Sequence, residues 1–330
     1  MSASYDVAAI GNAIVDVIAP AEDAFLAANG LVKGSMMLVD EDRARELYGK
    51  MAQAVEASGG SAGNTVAGVA SLGGRAAYIG KVAEDQLGEV FAHDTRSIGV
   101  AYATTRLNGG AATGRSLINV TPDGERTMCT FLGASVELTA ADVDPALIEG
   151  AAIVYLEGYL FDPPEARRAF AKAAGLARAS GRTIALTASD IFVIERHRHA
   201  LIGFLDTEVD LLFANDVEIM ALFETDDFDA AVDAVRGRCR IAALTRGEAG
   251  SVVVTPDATV AVPAFPVEKV VDTTGAGDQY AAGFMLALAR GRSLEDCAKL
   301  GGLAAAEVIS HYGPRPQVSL AELAAAHGLA

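Results

Sequence analysis

Between Val271 and Phe284 the chain reads Val-Asp-Thr-Thr-Gly-Ala-Gly-Asp-Gln-Tyr-Ala-Ala-Gly-Phe. The apolar run before it (Phe265, Val267, Val270, Val271) predicts a strand, and Phe284, Ala287 and Leu288 recur at helical spacing after it. The glycines therefore fall at an expected strand-to-helix turn. Without side chains to block them, the amides of Gly275, Ala276 and Gly277 can converge on one point, and the positive end of the helix dipole adds to them. Such a point attracts an anion. Asp278 stands beside it, where a carboxylate repels a resident phosphate but accepts a proton from a hydroxyl attacking one. Amides for the charge and a base for the proton make phosphoryl transfer the expected chemistry. The plainer alternative is an ordinary helix start with Asp278 as a first-turn acid.

Other stretches carry polar groups in apolar surroundings. Val7–Ile10 reads as a buried strand ending at Gly11-Asn12, and Asp16 is a single acid among Ile14, Val15, Val17 and Ile18. By pattern alone Asp16 is a capped or solvent-facing carboxylate. Gly59-Gly-Ser-Ala-Gly-Asn64 opens a helix of small residues through Leu72, so backbone there can approach a ligand closely. Asn215-Asp-Val-Glu218 has the form of a capping box. Gly74 to Val82 imitates a P-loop, but with one residue too many and Val where a hydroxyl should hold magnesium.

The elements that would position these groups alternate. From residue 150 onward, Ile153–Leu156, Thr183–Leu186, Leu211–Phe213, Ile241–Leu244 and Ser251–Val254 read as strands separated by helices such as Pro164–Arg178. That rhythm predicts βαβ units and a parallel sheet whose ligands gather at the carboxyl ends of the strands. Residues of about 17–40 and 102–132 instead alternate short apolar and polar runs, and Thr121-Pro-Asp-Gly124 is a hairpin turn. Both segments are expected to form one small β lid. With no repeat or long linker, residues 1–330 are read as a single domain.

Asp272-Thr-Thr-Gly-Ala-Gly-Asp278 resembles the carboxy-terminal signature of the ribokinase-like (PfkB) family of carbohydrate and nucleoside kinases. Gly59–Gly74, with Ile79–Gly88, resembles that family's amino-terminal signature. The resemblance implies a three-layer α/β/α body with a mostly parallel sheet and a β lid. It also implies ATP and Mg²⁺, with Asp278 as the base and Gly275, Ala276 and Gly277 as the anion hole. Asn12, Asp16, Gly60 and Asn64 would then grip the acceptor's hydroxyls, with Phe131, Leu132 and Ala134 of the lid against a base or merely packing lid on body. Thr245, Gly247 and Gly250 would meet the ATP phosphates. Asn215 and Glu218 would place magnesium-bound phosphates, through water. In many members, carbonyls near Asp272 and Thr274 and near residues 310–313 hold K⁺.

The acceptor stays open at this level, because the family phosphorylates nucleosides, sugars and sugar phosphates. Tyr155–Leu160 and Ile184–Arg196 resemble its adenosine kinases, whereas Thr274 stands where the animal members have Asn. A sugar or sugar-phosphate kinase is the second reading, and a sugar phosphate would call for Lys33, Arg115 or Arg126 at the site. A ligand sensor is the third, disfavoured by the full set of chemical residues. A net charge of −17 excludes a general nucleic-acid or anionic-membrane surface. Cys129, Cys239 and Cys297 show no paired spacing, so neither a disulfide framework nor a zinc site is expected. The start lacks a basic leader and no apolar run reaches membrane length, so a cytoplasmic protein, monomer or homodimer, is expected.

Overall fold

The computed structural model describes residues 3–330. Its strands are β1 (Tyr5–Ile10), β2 (Ile14–Pro20), β3 (Met36–Leu38), β4 (Val55–Gly59), β5 (Ala76–Ile79), β6 (Ala101–Tyr102), β7 (Gly114–Val120), β8 (Arg126–Phe131), β9 (Ala151–Glu157), β10 (Thr183–Thr187), β11 (Leu211–Asn215), β12 (Ile241–Thr245), β13 (Ser251–Val254) and β14 (Thr259–Val262). The larger sheet has the order β14-β13-β12-β11-β10-β9-β1-β5-β6. All its pairings from β12 to β6 are parallel, while β13 and β14 close the other edge as antiparallel strands.

Strands buried on both faces need apolar residues at every position, and β1 shows the division. Val7 and Ala9 enter one core with the helices Ser61–Ser71, Ala276–Ala289 and Leu294–Val308. Ala8 and Ile10 enter the other with Pro164–Ala179 and Ile191–Glu208. The result is the expected α/β/α body. Among the described residues no helix is long and apolar enough to cross a membrane.

The smaller sheet, of order β3-β8-β7-β2-β4, covers the carboxyl ends of the larger one. Its boundaries differ from the two segments read in the sequence. It begins at Ile14 and gains Val55–Gly59 as an edge strand, while Ala101–Tyr102 belongs to the larger sheet. Glu56, Ser58 and Gly59 leave β4 little apolar signal, which is why it escaped a periodicity reading.

A second correction concerns the approach to the glycine turn. No strand forms at residues 265–271; after β14 the chain runs irregularly to Gly275. Pro263 and Pro266 remove two amides a ladder would need, and Val270 is 55% exposed. The segment is tied down instead by Val271 N donating to Ile309 O at 2.8 Å.

Candidate active site

Five strands of the large sheet deliver their ends to one cavity of about 710 Å³: Asn12 beyond β1, Glu157 of β9, Thr187 of β10, Asn215 of β11 and Thr245 of β12 all line it. The lid forms the opposite wall by strict alternation. Ile14 and Asp16 of β2, Ser116 and Ile118 of β7, and Met128 and Thr130 of β8 face the cavity, while Val15, Val17, Leu117 and Cys129 are buried behind them.

At the cavity floor Gly275 adopts φ +80, a left-handed conformation that precedes the helix Ala276–Ala289. A Cβ there would lie 2.6 Å from Pro314 O, so a loop near the chain's end packs directly on the turn. Gly275, Ala276, Gly277 and Asp278 all line the cavity. The Ala276 amide also turns back to Thr273 O at 3.2 Å. Ser61 Oγ donates to Asp278 Oδ1 at 2.6 Å and Asn64 Nδ2 to Oδ2 at 3.2 Å. Burial pushes the Asp278 carboxyl up to about 6 against the pull of those two bonds and of Arg315.

Asp16 is half-buried, and its withdrawal from water raises it to about 6, opposed by Arg315 and Arg126. Charges surround its carboxylate, but among the described residues no hydrogen-bond donor does. Asn12 presents a matching vacancy. Its N and Nδ2 donate to Glu157 Oε1 at 3.2 and 2.9 Å, which leaves its buried Oδ1 without a protein partner among the described residues. Glu157 also accepts from Ala62 N at 2.9 Å, fastening β9 to the Ser61–Ser71 helix, and burial lifts it to about 7. Gly60, at φ +84, starts that helix from a conformation closed to most side chains.

Residues 6–320 match the pfkB family of carbohydrate kinases. The chain belongs to that family. It is similar to adenosine kinase from Sinorhizobium meliloti, at 55% identity over 98% of this chain and 100% of that one, with a TM-score of 0.92. A probable sugar kinase from Rhizobium etli CFN 42 is 48% identical over 99% and 100%, with a TM-score of 0.93. Adenosine kinase from Saccharomyces cerevisiae is 28% identical over 92% of this chain and 95% of its own length. This pfkB family member is thus an ATP-dependent kinase that phosphorylates an alcohol group, its acceptor being of the nucleoside or sugar class.

The kinase places its other sequence-nominated residues unevenly. Asn215 and Glu218 form the capping box and line the cavity. Asn215 N and Nδ2 donate to the Glu218 carboxylate at 3.0 and 2.9 Å, and burial, with Asp190, Asp216 and Asp278 nearby, raises Glu218 to about 7. An acid raised by burial among other acids fits a divalent cation close by. No group of three or more His, Cys, Asp or Glu among the described residues is spaced to grip a metal directly. A magnesium ion here would keep most of its ligands from water and phosphate, as that ion prefers.

Thr245, Thr274 and Leu132 line the cavity; Gly247, Gly250, Asp272 and Ala134 do not. Ala134 is fully buried in the turn Gly133–Glu137, and Phe131, by the alternation of β8, faces away under Arg115. Met36, Leu38, Ile118 and Met128 are the apolar lid side chains that line the cavity beside Leu132. Gly247 and Gly250 shape the turn after β12. The Asp272 carboxylate is taken up by protein donors: Arg126 Nη2 at 2.7 Å, Gly313 N at 3.0 Å, and Thr274 N and Oγ1 at 3.0 and 2.7 Å. A K⁺ ion in this region would therefore be held by main-chain carbonyls, as the resemblance implied, and not by that carboxylate.

Three site residues were not singled out in the sequence. Glu157 closes an apolar run just as Asp16 interrupts one, so the same signal marked it. Ser61 sat inside the glycine-rich signature with nothing to separate it from its neighbours. Arg315, in Gly313-Pro-Arg-Pro316, lies in no periodic element and gave no signal.

Proposed function

We propose that this kinase transfers the γ-phosphoryl group of ATP to the 5′-hydroxyl of a purine nucleoside, adenosine first among them. The observation that carries the reading is that one cavity joins unpaired polar acceptors to apolar lid side chains. Asp16, whose carboxylate lacks donors among the described residues, and the unpartnered Asn12 Oδ1 supply the acceptors. These acceptors suit a ribose diol. The lid adds Met36, Leu38, Ile118, Met128 and Leu132 to the lining, apolar surface that suits a flat base and that a free sugar leaves unfilled. The similarity to adenosine kinases supports the same acceptor.

The lid cations argue against a phosphorylated acceptor. Lys33 pairs with Asp23 and Asp123, and Arg126 with Asp272, while Arg115, which makes no ion pair among the described residues, lies over the Phe131 ring and does not line the cavity. Arg196 is the single Lys or Arg among the described lining residues, and Asp162 holds it at 2.7 Å.

In the reaction, Asp278 takes the proton of the 5′-hydroxyl as its oxygen bonds to the γ-phosphorus. The bond from that phosphorus to the β–γ bridging oxygen breaks, and ADP leaves with the electron pair. Gly275 and Gly277 present amides to the charge on the transferring group. Magnesium, held near Glu218 and Asn215, supplies charge neutralisation of the phosphates when bound.

Calorimetric titration of adenosine and 2′-deoxyadenosine into wild type and Asp16→Ala tests the diol contact. Charge-assisted bonds are worth roughly 1.5–3 kcal/mol each, so Asp16→Ala should lose at least about tenfold in acceptor affinity with ATP binding kept. The penalties of deoxygenation and mutation should be non-additive. Purely additive losses would show that Asp16 does not touch the diol.

A further inference from the structure

Arg315 is half-buried behind Asn64 and Ser58, and its hydrogen bonds go to neutral groups. Its Nε donates to Asn64 Oδ1 at 3.2 Å and its Nη1 to Ser58 Oγ at 2.7 Å. The charge is left to act through space on Asp16, Asp94 and Asp278. A guanidinium has donors and no acceptor, so its contact with Asn64 fixes which way that amide points. Oδ1 must face Arg315, and Nδ2 is thereby turned to Asp278 Oδ2.

The arginine is itself anchored by backbone. Gln279 Nε2 donates to Pro314 O and to Asn64 O, at 3.0 Å each, and Gly313 N donates to Asp272 at 3.0 Å. Pro314 lies against Gly275. One loop thus touches the anion hole, the helix bearing Asn64 and the loop bearing Asp272.

We propose that Arg315 is a positioning residue, which orients Asn64 toward the base and supplies a half-buried positive charge shared by the acceptor-binding Asp16 and the base Asp278. The inference rests on the roles given to those two acids above. It explains how a cavity holding Asp16, Asp278, Glu157 and Glu218 keeps its base ionised near neutral pH, since each acid raises the proton affinity of its neighbours. The groups facing the pair are Arg126 on β8, Glu157 and Tyr155 on β9, Tyr159 after it and Glu218 after β11, while Tyr78 on β5 and Asp94 on the helix Gln86–Ser97 face Arg315 itself. Arg315 and Arg126 are the cations of this group, and Arg126 is spent on Asp272.

The test compares Arg315→Gln, which keeps an amide donor and loses the charge, with Arg315→Lys, which keeps the charge and loses the fork. Protein labelled with ¹³C at aspartate carboxyls is titrated from pH 4 to pH 9, with the two signals assigned through Asp16→Asn and Asp278→Asn. In Arg315→Gln both carboxyls should titrate about one pH unit higher than in wild type, and the acid limb of acceptor kcat/KM should move up with them. Arg315→Lys should leave both titrations within a few tenths of wild type but lower kcat several-fold, with the KM for ATP unchanged in both variants.

Unaltered titration in folded Arg315→Gln would overturn the proposal, as would equal shifts in the two variants. The carboxyl titration needs no turnover. If wild type phosphorylated no nucleoside or sugar, the proposed function would fail while the role of Arg315 was still decided.

Discussion

Asp278 combines two demands that conflict in water. A base must be ionised at working pH yet basic enough to take a proton, and burial raises this carboxyl to about 6 while Ser61 and Asn64 stop it rising further. Turnover under conditions where chemistry limits the rate should therefore rise with pH through about 6, because protonated Asp278 cannot act. Asp278→Asn keeps the shape and loses the proton acceptor, so kcat should fall about 10²–10⁴-fold. Nucleotide affinity should stay within a few-fold, and equilibrium titration beside steady-state kinetics separates the two effects. Asp278 was legible because it sits by a glycine turn, and Asp16, by pattern alone a capped or solvent-facing carboxylate, through the family resemblance. Arg315 was not, since its meaning comes from a packing of residues 251 positions apart in sequence.

At the level of elements, the parity of β8 decides which lid residues meet the acceptor. Met128 and Thr130 face the cavity and Cys129 the core, so a register shifted by one would exchange them. Met128→Ala should raise the acceptor KM by roughly tenfold, from about 1–2 kcal/mol of lost apolar contact, with the KM for ATP unmoved. Cys129→Ala should instead cost on the order of 1 kcal/mol of stability and leave both KM values alone. The large parallel sheet was legible because full burial writes itself as continuous apolar runs. Phe131 and Ala134 follow the packing alternative: nothing in a short hairpin sequence says which face of β8 is wet, and Ala134 lies in the turn beyond it. Arg126 then joins β8 to the loop before the anion hole by clasping Asp272.

Across the whole molecule, four acids withdrawn wholly or partly from water stand above their ordinary range: Asp16 and Asp278 at about 6, Glu157 and Glu218 at about 7. Each favours the folded state fully only below its unfolded value near 4, and that contribution is lost as pH rises through 6 and 7. The free protein should therefore melt at lower temperature at pH 8 than at pH 5.5, and ATP with magnesium should recover part of the difference by binding the folded form. A kinase so acidic, at −17, accepts this cost within a cavity built to pair acids with hydroxyls. The measurement closest to the central claim is a phosphorylation screen with ATP and magnesium across adenosine, guanosine, cytidine, ribose, fructose and fructose 6-phosphate. The kinase should show its highest kcat/KM with adenosine, yielding the 5′-monophosphate. A higher kcat/KM with ribose, fructose or fructose 6-phosphate would contradict the reading.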